Sequence, residues 1–403
     1  MAPPKSYTLM FTGDVMLGRL IDQLLPTHVH NPDDHSAITR IVAVHPALKT
    51  YSPRSPWGSA LPFFRAADLN LINLETAVTT LDTPWPNKAF NYRMHPRNLD
   101  ILKQARIDYV SLANNHTADF GVPGLVDTVR AVQTEGLAFA GAGPCPYRPA
   151  VLRLPRVGSS SSSYAGAVAG SSSRSSTSNT SNTGDKEPQY EIHIYSASDH
   201  PQAWAQIPQF NFLDYTTATR TRLQKTLLET TTSPRADGVN KKGAAAALKI
   251  FSVHWGANYA WRPTAEIRGL AHFLVDECGV DIVHGHSAHH VQGVEVYRGK
   301  LILYGCGDFV DDYAVDAEFR NDLGALWRVV VCEDRNAGTA AGLRLQRLEV
   351  VPTRCRWFGV EVLEVQDDDH AWVCEKVREL SMELGTAVNA ELGRDGQVVV
   401  DLG

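Results

Sequence analysis

The sequence predicts an α/β fold whose strands deliver polar groups to one crevice, and three observations predict it. Short, β-branched apolar runs alternate with helical patterns along most of the chain. Five of those runs end in Asp, Glu, Asn or His rather than in another apolar residue. The chain has 403 residues, 43% hydrophobic and 20% charged, which suits a globular protein with a sizeable core.

The elements follow in order. The run from Tyr7 to Thr12 enters Gly13-Asp14, a turn with a carboxylate at its tip. Asp14 reads as a metal ligand, with a helix N-cap as the alternative. The run 68–74 delivers Glu75, and the run 108–113 delivers Asn114, Asn115 and His116. Helical patterns appear at residues 96–105, 123–135, 219–229 and 263–278. Three of these start on proline, which suits the first helical position. The run 248–253 ends in His254-Trp255-Gly256. The run 280–283 ends in His284-Gly285-His286-Ser287-Ala288-His289-His290, which holds four of the 15 histidines. Strands are expected at 291–297, 300–304, 326–332 and 343–351, and a last helix at 369–384.

Residues 158–184 are almost all Ser, Gly, Thr, Asn and Ala. Such composition does not bury enough apolar surface to offset its ordering entropy. A disordered insertion spanning 157–188 is expected between strands at 150–154 and 190–196, inside one domain covering 6–365. A linker between independent domains is the alternative; the candidate ligands lie on both sides of the segment, which favours one domain. Residues 230–247 form a second soft segment, and 366–403 read as a C-terminal helix and tail.

A net charge of −6 argues against binding nucleic acid through its phosphates. The six cysteines are scattered without a C-x-x-C pair and read as free thiols. No apolar leader and no membrane-spanning run is legible, so a cytoplasmic protein is expected. Oligomeric state is left open. Oxygen and nitrogen donors without thiolates suit Mn, Fe, Zn or Mg rather than a structural cysteine-type zinc site. In open α/β sheets such donors meet outside the carboxyl ends of the strands.

The motifs Gly13-Asp14-Val15-Met16-Leu17-Gly18-Arg19, Asn73-Leu74-Glu75, Asn114-Asn115-His116, His254-Trp255-Gly256, Gly285-His286-x-x-His289 and Gly305-Cys306-Gly307-Asp308-Phe309 occur in that order. In this they resemble the capsule-synthesis protein CapA, or poly-γ-glutamate synthesis, family of the calcineurin-like metallophosphoesterase superfamily. The resemblance covers residues 6–313 apart from the insertion. It implies a four-layer α/β/β/α sandwich with mixed sheets. It implies two divalent ions, Mn, Fe or Zn, on Asp14, Glu75 as the bridging carboxylate, Asn115, His254, His286 and His289. His116 is then the acid for the leaving group, and Arg19, Asn114 and Asp308 face the substrate. The implied chemistry is metal-assisted hydrolysis of a phosphoester or an acyl or γ-glutamyl bond, in an anionic small molecule or a γ-linked peptide.

Three departures stand out. Met16 occupies the place where the wider superfamily has a ligand histidine. Ser287-Ala288 replaces the His-Pro of Gly-His-His-Pro-His but keeps the spacing of the outer histidines. Asp308 stands where the family has Asn, and its charge either raises metal affinity or repels an anionic substrate. Arg19 either binds an anion or forms a salt bridge. His284 is either behind the ligands or simply buried, and His290 is a bystander or a substrate contact. A hydrolase, a protein handling poly-γ-glutamate, and a non-catalytic accessory protein with a degenerate metal site are the competing functions.

Overall fold

The computed structural model describes residues 4–156, 189–229, 246–334 and 342–403. The insertion expected at 157–188 and most of the soft segment at 230–247 lie outside the described residues. Two mixed sheets form the body. The first runs from edge to edge as Gly359–Val362, Gly342–Arg356, Leu323–Asp334, Ser6–Val15, Leu69–Leu74, Tyr109–Ser111 and Ala138–Ala140. Asp308–Val310 also pairs with Ser6–Val15, and Val398–Asp401 with Gly342–Arg356. The second runs as Val294–Tyr297, Lys300–Leu303, Ile282–His286, Leu248–His254, Gln189–Ser198 and Ala150–Pro155.

The period-two alternation of the strands separates the cores. Tyr7, Leu9 and Phe11 meet Ile192, Ile250 and Leu303 between the sheets. Met10 and Val15, on the opposite face, pack with Ile72, Val110, Ile101 and Leu125 beneath the helices Asp100–Gln104 and Gly121–Thr134. On the far side, Phe251, Val253 and Val283 pack on Leu223 and Leu227 of helix Thr217–Glu229 and on Leu270 and Leu274 of helix Ala265–Cys278. The order is helix, sheet, sheet, helix, the expected four-layer α/β/β/α sandwich. The helix Asp368–Glu383 closes one end through Val373, Cys374 and Val377, which join the inter-sheet core. Among the described residues, no helix is long and apolar enough to cross a membrane.

The central parallel strands of the two sheets finish at one end of the sandwich. Asp14 lies across from Asn73 on one neighbouring strand and from Asp308 on the other, at points where both ladders shift register. In the second sheet His286 lies across from His254. Gly13 makes this convergence possible, because a Cβ there would come within 1.7 Å of the Gly307 carbonyl oxygen. Gly285 is equally constrained: its Cβ would lie 2.2 Å from the Tyr304 carbonyl oxygen.

Candidate metal centre

Two groups of buried donors form at this end. Asp14, His254 and His286 make one; Asp14, Glu75, His289 and Asp308 make the other. In each group the donor atoms lie within 4.8 Å of one another, and Asp14 belongs to both. Its Oδ1 is 4.0 Å from His254 Nδ1 and 3.9 Å from His286 Nδ1, while its Oδ2 is 4.0 Å from His289 Nδ1. Glu75, expected as the bridge, belongs to the second group, and its Oε1 is 3.9 Å from His254 Nε2 of the first and 4.0 Å from His116 Nε2. Asp308 Oδ1 lies 2.8 Å from His289 Nδ1.

The groups lack the partners that buried polar atoms normally have. Glu75 Oε1, Asn115 Oδ1, His254 Nε2 and Asp308 Oδ2 are buried without a hydrogen-bond partner. Burial pushes the Glu75 carboxyl well above the usual carboxylate range, and Asp14 and Asp308 add to the rise. Burial raises Asp308 in the same way, with Asp311 and Asp14 adding. Burial drives His254 and His286 well below the ordinary imidazole range, and neighbouring imidazoles push in the same direction. A divalent cation opposes the carboxyl shifts by favouring ionised carboxylates, is compatible with the neutral imidazoles, and occupies the orphaned lone pairs. The donor set therefore fits a metal.

Residues behind the donors orient them. Asn73 Nδ2 donates to Asp14 Oδ1 at 2.7 Å, and Ser287 N donates to Asp14 Oδ2 at 3.2 Å. Asn114, expected on the substrate, is wholly buried and turned inward. Its Nδ2 donates to Asn73 Oδ1 at 3.0 Å and to the Leu74 carbonyl at 2.8 Å, while its Oδ1 accepts from His116 N at 3.1 Å. His284 Nε2 lies 2.7 Å from the Thr12 carbonyl, which only accepts, so this nitrogen carries the proton. In neutral His284 the Nδ1 then accepts from Ser252 Oγ at 3.1 Å, and Ser252 Oγ in turn accepts from His286 Nε2 at 3.0 Å. The relay leaves His286 Nδ1 without a proton, accepting from His254 Nδ1 at 2.9 Å and facing Asp14, the tautomer that a ligand needs. His284 thus stands behind the donor His286. His290 packs against Trp261 and Phe319, with ring centroids at 4.6 and 4.9 Å, outside both groups.

A cleft of ≈ 480 Å³ opens over the donors, its lining including Arg19, Lys88, Tyr92, Asn115, His116 and His289. His116 Nδ1 lies 2.6 Å from Asp119 Oδ2, and Tyr92 stacks on the imidazole at 3.8 Å. Burial pushes the His116 pKa down to about 4, against the opposing pull of Asp119. Of the two alternatives for Arg19, the salt bridge is the one present. It pairs with Asp312 at 3.4 Å, lies over Tyr92 and still lines the cleft. Lys88, Asp119 and His200 were not singled out in the sequence. Lys88 pairs with Asp119 and sits 3.0 Å from His116 Nδ1. His200 holds Asp199 at 2.5 Å with its ring 5.0 Å from His254. Asp119 stands three residues after His116, a spacing that offered a signal; Lys88 and His200 lie in segments without periodicity.

This is a two-sheet α/β sandwich with buried, oxygen- and nitrogen-rich groups of candidate metal donors at its strand ends. The chain belongs to the bacterial capsule synthesis protein PGA_cap family, whose model matches residues 8–313. It is 32% identical over 407 residues to a probable polyglutamine synthesis accessory protein of Mycobacterium tuberculosis, covering 96% of this chain and 94% of that protein. It is 23% identical to the capsule biosynthesis protein CapA of Bacillus anthracis, over 76% of this chain and 60% of that one. A calcineurin-like phosphoesterase of Bacillus subtilis superposes with a TM-score of 0.43 at 9% identity, covering 95% of this chain and 98% of that one. That likeness is too distant to bear on activity.

Proposed function

We propose that the protein is a metal-dependent hydrolase within this family, acting on a phosphoester or on an acyl or γ-glutamyl bond of an anionic or γ-linked substrate. The observation that carries the reading is the pair of buried donor groups sharing Asp14 and opening into a cleft beside His116. Asp14, Glu75, Asn115, His254, His286 and His289 would hold two divalent ions, Mn, Fe or Zn. When bound, such ions supply Lewis acidity and activate water at neutral pH. The chain's own residues do the rest. Arg19 and Lys88 draw an anionic group into the cleft. Asp119 fixes the His116 ring, and Tyr92 stacked on its face shields it from water. His116 Nε2, directed towards Glu75, serves the leaving oxygen or nitrogen.

A non-catalytic accessory role is the second reading. It is favoured by the mycobacterial relative, described as a probable accessory protein, and by Met16, a thioether where the wider superfamily has a ligand histidine, whose sulfur accepts from Gly18 N at 3.2 Å. One experiment separates the two. Metal content by elemental analysis and turnover of a p-nitrophenyl phosphodiester and of a γ-glutamyl oligomer are measured on wild type, Asp14→Ala and His286→Ala. About two metals per chain, lost with turnover in both variants, is the expected result. Metal without turnover of either substrate leaves the accessory reading; no metal after reconstitution with Mn or Zn overturns the assignment.

A further inference from the structure

The second donor group contains a residue beyond the expected ligands. Asp308 reaches the centre from its own short strand, Asp308–Val310, paired in parallel with Ser6–Val15 so that Asp308 stands beside Asp14. Its side chain is buried, with one oxygen 2.8 Å from His289 Nδ1 and the other without a partner. Glu75 Oε1 on the same group is also buried and unpartnered. Among the described residues, the ion pairs made by Asp14, Glu75 and Asp308 are all with histidines. Three buried carboxylates around one imidazole repel one another unless they are protonated or a cation lies among them, and only a cation also takes up the two unpartnered oxygens.

We propose that Asp308 is a direct metal ligand rather than a substrate contact, completing a site of three carboxylates and one imidazole with Asp14, Glu75 and His289. The inference rests on the metal centre proposed above. Its consequence is asymmetry. The Asp308 half is rich in oxygen and suits a hard ion such as Mn²⁺, whereas the half with His254 and His286 is richer in nitrogen and suits Zn²⁺. A carboxylate at position 308 therefore determines which ion sits where.

The test is Mn²⁺ binding by calorimetry and elemental analysis, with the Mn²⁺ electron paramagnetic resonance spectrum, on the full chain as wild type, Asp308→Asn and Asp308→Ala. Asp308→Asn keeps the shape and an acceptor for His289 but removes the charge. Circular dichroism melts verify that both variants fold. The expected result is that Asp308→Asn weakens Mn²⁺ at one site by about 10–100-fold and leaves Zn²⁺ at the other unchanged. Asp308→Ala should lose that Mn²⁺, and with it any spin coupling between the two ions. Asp308→Asn binding within about threefold of wild type overturns ligation; should Asp308→Ala alone bind weakly, Asp308 merely orients His289. If the wild type binds a single ion, its loss or retention in Asp308→Asn decides in the same way. A wild type that binds no metal overturns the centre itself, and Asp308 with it.

Discussion

Asn114 and His116 are two residues apart beside the donor groups, yet they do different work. The Asn114 side chain makes four hydrogen bonds, all within the protein, and fixes the Asn73 side chain that holds Asp14. His116 lines the cleft. Asn114→Ala strands those partners in a buried place and should lower stability by roughly 2–4 kcal/mol, read in denaturant melts, and weaken metal binding. His116→Ala should leave metal content unchanged, lower melting less than Asn114→Ala because Asp119 keeps Lys88 and Tyr92 N as partners, and reduce kcat by about 10²–10⁴-fold. Equal effects of the two substitutions on melting would refute the division. At this scale the sequence was informative where a side chain follows a strand, as Asp14, Glu75, His254 and His286 do. The roles of Asn114 and Lys88 were not legible, because they depend on which way a loop residue turns, and that is set by partners far along the chain.

Elements were legible where their own periodicity was strong. The helix Ala265–Cys278 begins two residues after the expected proline, because Thr264 caps it by accepting from Ile267 N. Helical patterns are expected after the first strand, but the sequence sets no bounds for the helix Pro32–Val44, although Asn31 caps it and a proline opens it. Only Ile38 of this helix is fully buried, so its apolar stripe is thin. The strand Val398–Asp401 was read as tail, since its partners, Arg347–Val350, lie about fifty residues earlier. Helix Asp368–Glu383 and this strand together bury Val373, Val377, Leu380, Val398 and Val400. At about 1.5–3 kcal/mol for each side chain, these five contribute on the order of the whole stability of a domain. A chain ending at residue 365 should therefore be insoluble or lack a cooperative melt. A truncated chain that melts within a few degrees of the full one would show that the segment is dispensable.

At the scale of the molecule, the centre joins the two sheets. The strands carrying Asp14 and Asp308, and the segment holding Glu75, belong to the first sheet; the strands carrying His254 and His286 belong to the second. The sheets already share a continuous apolar core, so the fold does not need metal to form. Bound ions add to that core by linkage: a ligand at a hundredfold over its Kd stabilises by about 2.7 kcal/mol per site. For a chain this long, the corresponding shift in Tm is roughly 3 °C per site. Chelation with EDTA should lower the Tm of the loaded wild type by roughly that amount for each ion and leave a single cooperative transition. Asp14 is common to both donor groups, so Asp14→Ala should melt near the chelated wild type and show no further response to EDTA. Scanning calorimetry with and without EDTA on the two proteins decides it. A wild-type Tm indifferent to chelation, in protein shown to carry two ions, would mean that the donors are already satisfied across the sheet interface without them, and the bridging role would fall.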